Sequence, residues 1–351
     1  MKLGLNLGYS GRKIRIPIDM IQEAERMGFD SVWTAEAYGS DALTPLAWIG
    51  AQTERIKLAT GIVQMSARTP AATAMGAMTI DQLCEGRMIL GLGASGPQVV
   101  EGWYGQPYRR PLQRTREYIH AMKQVFRREA PLVLDGEQIS IPYDGPNSTG
   151  LGKPLKSILH GRADLPVYLG AEGPKNIALA AEISDGWLAM LLSPRHFNDV
   201  YRPFLESGFE RAGNGKGYDN FEVACYVPVA MGDDLDACRD LMRPYLALYI
   251  GGMGSKKKNF HKDVVVRYGY GESAETIQDL YLSGKKAAAE AAVPTQLIDD
   301  VCLVGPKEHI RDQLDIWKSC RGITTMLLSA NGYQTAGQMK TIKTVAELIW
   351  A

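Results

Sequence analysis

The chain alternates between two periodicities. "KLGLNLG" at its start alternates residue by residue as a strand does, and Ile18, Ile21, Ala24 and Met27 then recur at helical spacing until Gly28 ends the run. "SVWTAE" is a second strand; the helix after it is expected from Thr44, read as the N-cap, with Pro45 in the first helical position. "IKLATGIV" is a third strand, followed by a helix that opens on Thr69-Pro70 with the same chemistry, and "MILGLGAS" is a fourth, followed by a helix over residues 114–128. "LVLDGEQISIP" interrupts the series and reads as a hairpin with a two-residue turn at Asp135-Gly136. The series then resumes with "PVYLG", "GWLAM", "FEVACYVPVAM" and "ITTMLLS", each but the last followed by helical sequence. Strands joined by helical crossovers lie parallel, and an open doubly wound sheet seldom needs eight successive units. The expected fold class is therefore α/β, a (β/α)8 TIM barrel with insertions after strands 4 and 7. No linker-like segment divides it, so residues 1–351 are expected to form a single domain, with "GGMGSKKKNF" a loop inside the second insertion.

Composition narrows the partners. Acidic and basic residues number 39 each, so nothing in the bulk charge favours nucleic acid or an anionic membrane. The five cysteines include no Cys-x-x-Cys pair, which reads as reduced thiols, and none of the five histidines has a second ligand at metal spacing. "MKLGLNLGYS" is too short an apolar run for a signal peptide, and no stretch reaches the length of a membrane span. These features lead to the expectation of a cytoplasmic protein that acts on a small-molecule substrate, with no metal, no nucleic acid and no membrane.

In such a barrel chemistry gathers where the strands end. The stretch "YLGAEGPKNIALAAEISDGW" passes from strand 5 through a Gly-Pro turn into a helix that carries little charge. Ala171, Glu172, Gly173 and Asn176 surround that helix start, where backbone amides and the helix dipole suit a phosphate; an ordinary barrel turn is the other reading. Glu36 closes strand 2, where it serves either as a general acid or base or as the partner of Arg68 in a salt bridge. Asp41 is either a first-turn helix acid or a substrate contact. Ser95 and Gln98 are short polar groups at the exit of strand 4, able to bond a ring carbonyl or a tail, whereas Trp103 and Tyr104 read as packing. His196 and His261 read as solvated loop histidines, and Lys256, Lys257 and Lys258 as a solvated run.

The run "GFDSVWTAEAYGSDALTPLAWIGAQTERIKLATGIVQMSARTPAATAMGAMTIDQLCEGRMILGLGASGPQVVEGW", the block "GPKNIALAAEISDGW" and the segment "LVGPKEHIRDQLDIW" together resemble the bacterial luciferase-like family, especially its coenzyme F420-dependent oxidoreductases. The resemblance covers nearly the whole chain. It implies a barrel that binds coenzyme F420, or FMN as the alternative, with the cofactor phosphate at the turn described above. It also implies a non-proline cis peptide at Gly61-Ile62 backing the ring, with Gln64, Met65, Ser66 and Arg68 following along the rim. Glu36 then becomes the expected proton partner, and Asp41 and Arg68 the expected substrate contacts. Ala37 and Gly96 depart from the pattern: a histidine stands at the first position in the sugar-phosphate dehydrogenase branch, and an acid at the second both there and in the methylene-tetrahydromethanopterin reductases. The substrates of those branches do not transfer. The implied activity is hydride transfer between the deazaflavin and an organic substrate. An FMN-dependent monooxygenase using oxygen is the alternative, and a non-catalytic cofactor-binding barrel the alternative of another class. Relatives usually pair through outer helices, which implies a homodimer or higher homo-oligomer.

Overall fold

The computed structural model describes residues 1–330 and 336–350. The strands are β1 (Lys2–Gly8), β2 (Ser31–Thr34), β3 (Lys57–Thr60), β4 (Val63–Gln64), β5 (Met88–Gly93), β6 (Leu134–Asp135), β7 (Ser140–Ile141), β8 (Val167–Gly170), β9 (Gly186–Ala189), β10 (Glu222–Met231), β11 (Leu303–Gly305) and β12 (Thr325–Ala330). Neighbours in the main sheet run β11-β10-β12-β1-β2-β3-β5-β8-β9, with β9 also pairing β10 and β4 pairing β5. That circular order, with helices between successive strands, is a (β/α)8 TIM barrel. The expected insertions are both present. The first carries the β6–β7 hairpin, and the second carries six helices and β11 between β10 and the last two helices.

Two compact units emerge: an N-terminal one of Leu7–Gly170 with Leu179–Gly186, and a C-terminal one of Met1–Asn6, Ala171–Ala178 and Trp187–Ala351. In the N-terminal unit, β2, β3, β5 and β8 pair in parallel, with Leu58 opposite Met88 and Leu90 opposite Val167. Helices α1 (Ile18–Met27), α2 (Leu43–Gly50), α3 (Pro70–Leu83), α4 (Pro97–Val100) and α5 (Pro111–Arg127) follow in turn. Their apolar faces bury Ile21, Leu46, Ile49, Met78 and Phe126, the dominant source of stability for such an element. Gly28 ends α1 in the left-handed conformation (φ 94°), where a side chain would be strained. Thr69 caps α3 through its hydroxyl, with Pro70 first in the helix, as expected.

Two local expectations fail for identifiable reasons. Helix α2 begins at Leu43 rather than after Thr44, because Asp41 Oδ1 accepts the amides of Leu43 (2.9 Å) and Thr44 (2.8 Å); a carboxylate at a helix start outcompetes a hydroxyl. The hairpin does not turn in two residues at Asp135-Gly136. Leu134 pairs with Ile141 and Asp135 with Ser140, leaving residues 136–139 as the loop. The cause is Glu117 of α5, only 4% exposed, whose carboxylate accepts the amides of Glu137 (2.9 Å), Gln138 (2.8 Å) and Ile139 (2.8 Å). Three amides converging on one buried carboxylate move the turn to Glu137-Gln138, closed by the Gly136 amide donating to the Ile139 carbonyl at 3.2 Å.

In the C-terminal unit β1 pairs β12, and β10 pairs both β12 and β11, all parallel. Helix α6 (Pro174–Ile183) starts within this unit, and the later helices include α7 (Arg202–Ala212), α8 (Leu235–Asp240), α9 (Arg243–Ala247) and α10 (Phe260–Arg267). Trp187, Tyr201, Phe197 and Trp317 are fully buried there. Lys256 of the lysine run pairs with Asp279 at 2.8 Å, and Lys258 lies over the Phe260 ring. All five cysteines are free. Among the described residues no helix is long and apolar enough to cross a membrane.

Candidate active site

In the N-terminal unit the segment from β2 to α3 gathers most of the residues marked out by the sequence. Glu36 lies just beyond β2, its side chain 6% exposed. Arg68 Nη1 donates to both of its oxygens, Oε1 at 2.9 Å and Oε2 at 2.8 Å, and the Gln64 amide donates to Oε2 at 3.1 Å. Gln64 Nε2 also donates to the Glu36 carbonyl at 3.1 Å, so Glu36 and Gln64 fix each other twice over. Arg68 Nη2 stands 3.9 Å from Asp41 Oδ1. Burial works against the Arg68 charge, but the bond to Glu36 and the attraction of Glu36 and Asp41 outweigh it, and its pKa rises. Asp41 thus takes the helix-turn reading by capping α2, and it also faces Arg68.

The peptide bond Gly61–Ile62 is cis, as the resemblance implies. Its surroundings are tight. A side chain on Gly61 would come within 3.2 Å of the Trp33 ring, while Ile62 fills the space that side chains on Gly93 and Gly170 would need, 2.7 and 3.2 Å from its carbons. The Ile62 carbonyl accepts the Glu36 amide at 3.0 Å, which ties this turn to the carboxylate. Next to it, Gln64 Oε1 is buried without a hydrogen-bond partner. Buried acceptors are nearly always satisfied, which sets this oxygen apart within the cluster.

Ser95 and Gln98 do not join this cluster by any hydrogen bond among the described residues. Ser95 takes a left-handed conformation (φ 56°) after β5, and Gln98 is exposed on α4. Tyr118, which sequence reasoning does not name, and Tyr104, which it reads as packing, stand beside it instead. The Tyr118 hydroxyl donates to the Arg68 carbonyl at 3.0 Å and meets Thr73 Oγ1 at 2.6 Å, pinning the loop that presents the guanidinium. Burial pushes this phenol up to about 12, with the Thr73 bond and Arg68 opposing. Tyr104 is half-buried and within electrostatic reach of the ion pair: burial raises its pKa, Glu36 adds to the rise and Arg68 opposes it. Neither tyrosine carries a local signal, since each meets Arg68 only through the fold.

In the C-terminal unit the turn into α6 keeps only some of the expected amides open. Gly173 O accepts the amides of Asn176 and Ile177, both at 2.9 Å, so the Asn176 amide is spent inside the helix rather than left for a ligand. The amides of Gly173 and Lys175 have no backbone partner among the described residues. A side chain on Gly173 would meet only Asn176 Nδ2, at 3.5 Å, and the residue does not use a left-handed backbone. Neither crowding of a Cβ within the chain nor a left-handed backbone therefore requires glycine there. Glu172 differs from expectation in its side chain, which turns to His261 of α10 (Oε1 to Nδ1, 2.6 Å). Arg267 Nη2 donates to its carbonyl at 2.8 Å. His261 is accordingly a half-buried partner of Glu172 rather than a solvated loop residue. His196 stacks on Tyr268, ring centroids 4.7 Å apart, and lies 3.8 Å from Asp300. The loop after the eighth barrel strand, also a place where function was expected, lies outside the described residues. Among the described residues no group of three His, Cys, Asp or Glu side chains converges as a metal site requires.

Comparison with known proteins bears on this arrangement. The model of the luciferase-like monooxygenase family matches residues 3–322. A Mycobacterium tuberculosis protein provisionally named a coenzyme F420-dependent oxidoreductase is 48% identical over 351 residues, 99% of each chain. A 5,10-methylenetetrahydromethanopterin reductase of Archaeoglobus fulgidus is 28% identical over 302 residues, covering 84% of this chain and 83% of its own. Among solved structures, the coenzyme F420-dependent tetrahydromethanopterin reductase of Methanopyrus kandleri matches with a TM-score of 0.77 at 23% identity, over 99% of this chain and 98% of its own, a likeness of fold. Strand order, the polar cluster at the end of β2 and a family match over nine-tenths of the sequence lead to one assignment: the chain belongs to the luciferase-like monooxygenase family.

Proposed function

We propose that this protein is a coenzyme F420-dependent oxidoreductase that moves a hydride between the deazaflavin and a small organic substrate. The observation that carries the reading is the full-length likeness to the mycobacterial relative of that name. Two features of the chain fit the cofactor. The open cradle at Gly173, with the free amides of Gly173 and Lys175, suits a phosphate held without an arginine. The orphaned Gln64 Oε1 beside Gly61 and Ile62 suits an N–H donor on a ring edge. Gly173→Val is expected to weaken F420 binding about ten-fold or more while leaving thermal stability nearly unchanged, since an added Cβ there meets only Asn176 Nδ2. Unaltered affinity in the folded variant would remove the phosphate from this turn.

When bound, the deazaflavin supplies the two-electron chemistry. The chain's residues hold and orient. Glu36 handles the proton, kept in place by Arg68 and the Gln64 amide, and Arg68 with Asp41 meets the substrate. Ser95, Gln98, Ala171, Glu172 and Asn176 complete the cofactor contacts in this reading, Glu172 through its backbone, since Oε1 of its carboxylate lies against His261. We read the protein as a single cytoplasmic domain that forms a homodimer or higher homo-oligomer. Large apolar side chains left open on the outer helices α2 and α3, Trp48, Met75 and Leu83, support that assembly.

The test is an anaerobic assay in which protein and reduced F420 meet a panel of aldehydes, ketones, enones and imines, followed by the absorbance of oxidised F420. Turnover with at least one acceptor in the absence of oxygen is expected. Turnover only with reduced FMN and oxygen would favour a monooxygenase instead, and none in any arm would favour a barrel that binds without catalysing.

A further inference from the structure

The loops after β2 and α4 carry two large aromatic residues that the core does not use. Tyr38 and Trp103 meet edge to face, ring centroids 6.3 Å apart at 62°, yet each is 62% exposed. Tyr9, after β1, is a third open aromatic ring at 43%, and its neighbour Ser10 ties that loop to the one bearing Tyr38 by accepting the Ser40 amide at 2.9 Å. Exposed aromatic rings held in contact with each other bury little area and add little stability; where they cluster at a site they mark a surface awaiting an apolar partner. Here they are continuous with the polar cluster. Tyr38 lies two residues beyond Glu36, and Trp103 adjoins Tyr104, whose phenol senses both Glu36 and Arg68.

The charges of that cluster restrict what can enter. Glu36 and Asp41 are two carboxylates around one guanidinium, that of Arg68, so the Arg68 charge is already neutralised before any phosphate or carboxylate on the substrate reaches it. An anionic substrate group would be repelled, whereas a neutral one can face Arg68 and lay a flat body against the rings.

We propose that Tyr38 and Trp103 form an aromatic clamp for the substrate, and that the substrate is a neutral, flat, apolar organic compound rather than a phosphorylated sugar. This rests on the reading of the chain as an F420-dependent enzyme, and the test separates the two. Isothermal titration of the F420-saturated protein with 2-naphthaldehyde and with glucose 6-phosphate is expected to show binding of the aldehyde only. Tyr38→Ala and Trp103→Ala should each weaken aldehyde binding about ten-fold or more, and Trp103→Phe should restore most of it. F420 affinity and melting temperature should stay at wild-type values, because both side chains are exposed. Aldehyde affinity unchanged in both alanine variants, absence of aldehyde binding, or tighter binding of the sugar phosphate would overturn the clamp. Loss of F420 affinity in the variants would also overturn it, assigning the rings to the cofactor. If the wild-type protein binds no F420, the functional reading fails on its own, and the same aldehyde titrations on the cofactor-free protein decide the clamp.

Discussion

Arg87→Ala is expected to destabilise the protein by about 3–5 kcal/mol. Arg87 precedes β5 and spends its guanidinium on other loops. Nε donates to the Cys84 carbonyl (2.9 Å), Nη1 to Thr53 Oγ1 (3.0 Å) and the Ile56 carbonyl (3.1 Å), and Nη2 to the carbonyls of Gly50 (3.0 Å) and Thr53 (2.9 Å). The fork thus ties the end of α3 to the segment between α2 and β3, where three of those acceptors would otherwise lack a donor from their own helix or strand. Removing it strands four carbonyls in a half-buried site, and each unpaired one costs about 1–3 kcal/mol before water compensates. Arg87→Lys should recover only a small part, because an ammonium cannot reproduce the planar fork. Urea denaturation measures both variants; a loss below about 1 kcal/mol for Arg87→Ala would mean that water replaces the guanidinium at little cost.

The second large effect concerns turnover. Glu36→Gln keeps the shape of the side chain and the acceptor for the Gln64 amide but removes the charge and the exchangeable proton. The rate with the best acceptor is expected to fall about 10²–10⁴-fold, the usual worth of a positioned acid or base, while F420 affinity changes little. The ion pair makes a control necessary, since the variant also releases Arg68. Arg68→Lys keeps a cation beside Glu36 and should raise KM more than it lowers kcat if Arg68 acts on the substrate. A full rate in Glu36→Gln would leave Glu36 as a structural partner of Arg68 and assign the proton to another group.

The sequence carried the strand series, the insertions and the strand-end residues because periodicity and turn chemistry are local. Glu36, Arg68 and Asp41 could be named from their positions near strand ends and Gln64 from the family resemblance, and they do meet. What sequence could not show is which groups already use each other. Glu172 was read as part of a turn that offers backbone amides to a phosphate, but the partner of its carboxylate, His261, lies in the second insertion, and only the packing of α10 brings them to 2.6 Å. Glu117 likewise reaches a loop whose amides come from a distant stretch, and so overrides the turn preference of Asp135-Gly136. Trp103 was read as packing because tryptophan usually is, and its exposure depends on a loop path that no periodicity encodes.

The central claim is the cofactor. Titration of the purified protein with oxidised F420, and separately with FMN, followed by the change in cofactor fluorescence, tests it most directly. A saturable one-to-one F420 isotherm with FMN bound at least about 100-fold more weakly is the result predicted; FMN binding as tight as or tighter than F420, or no F420 binding at all, would contradict it.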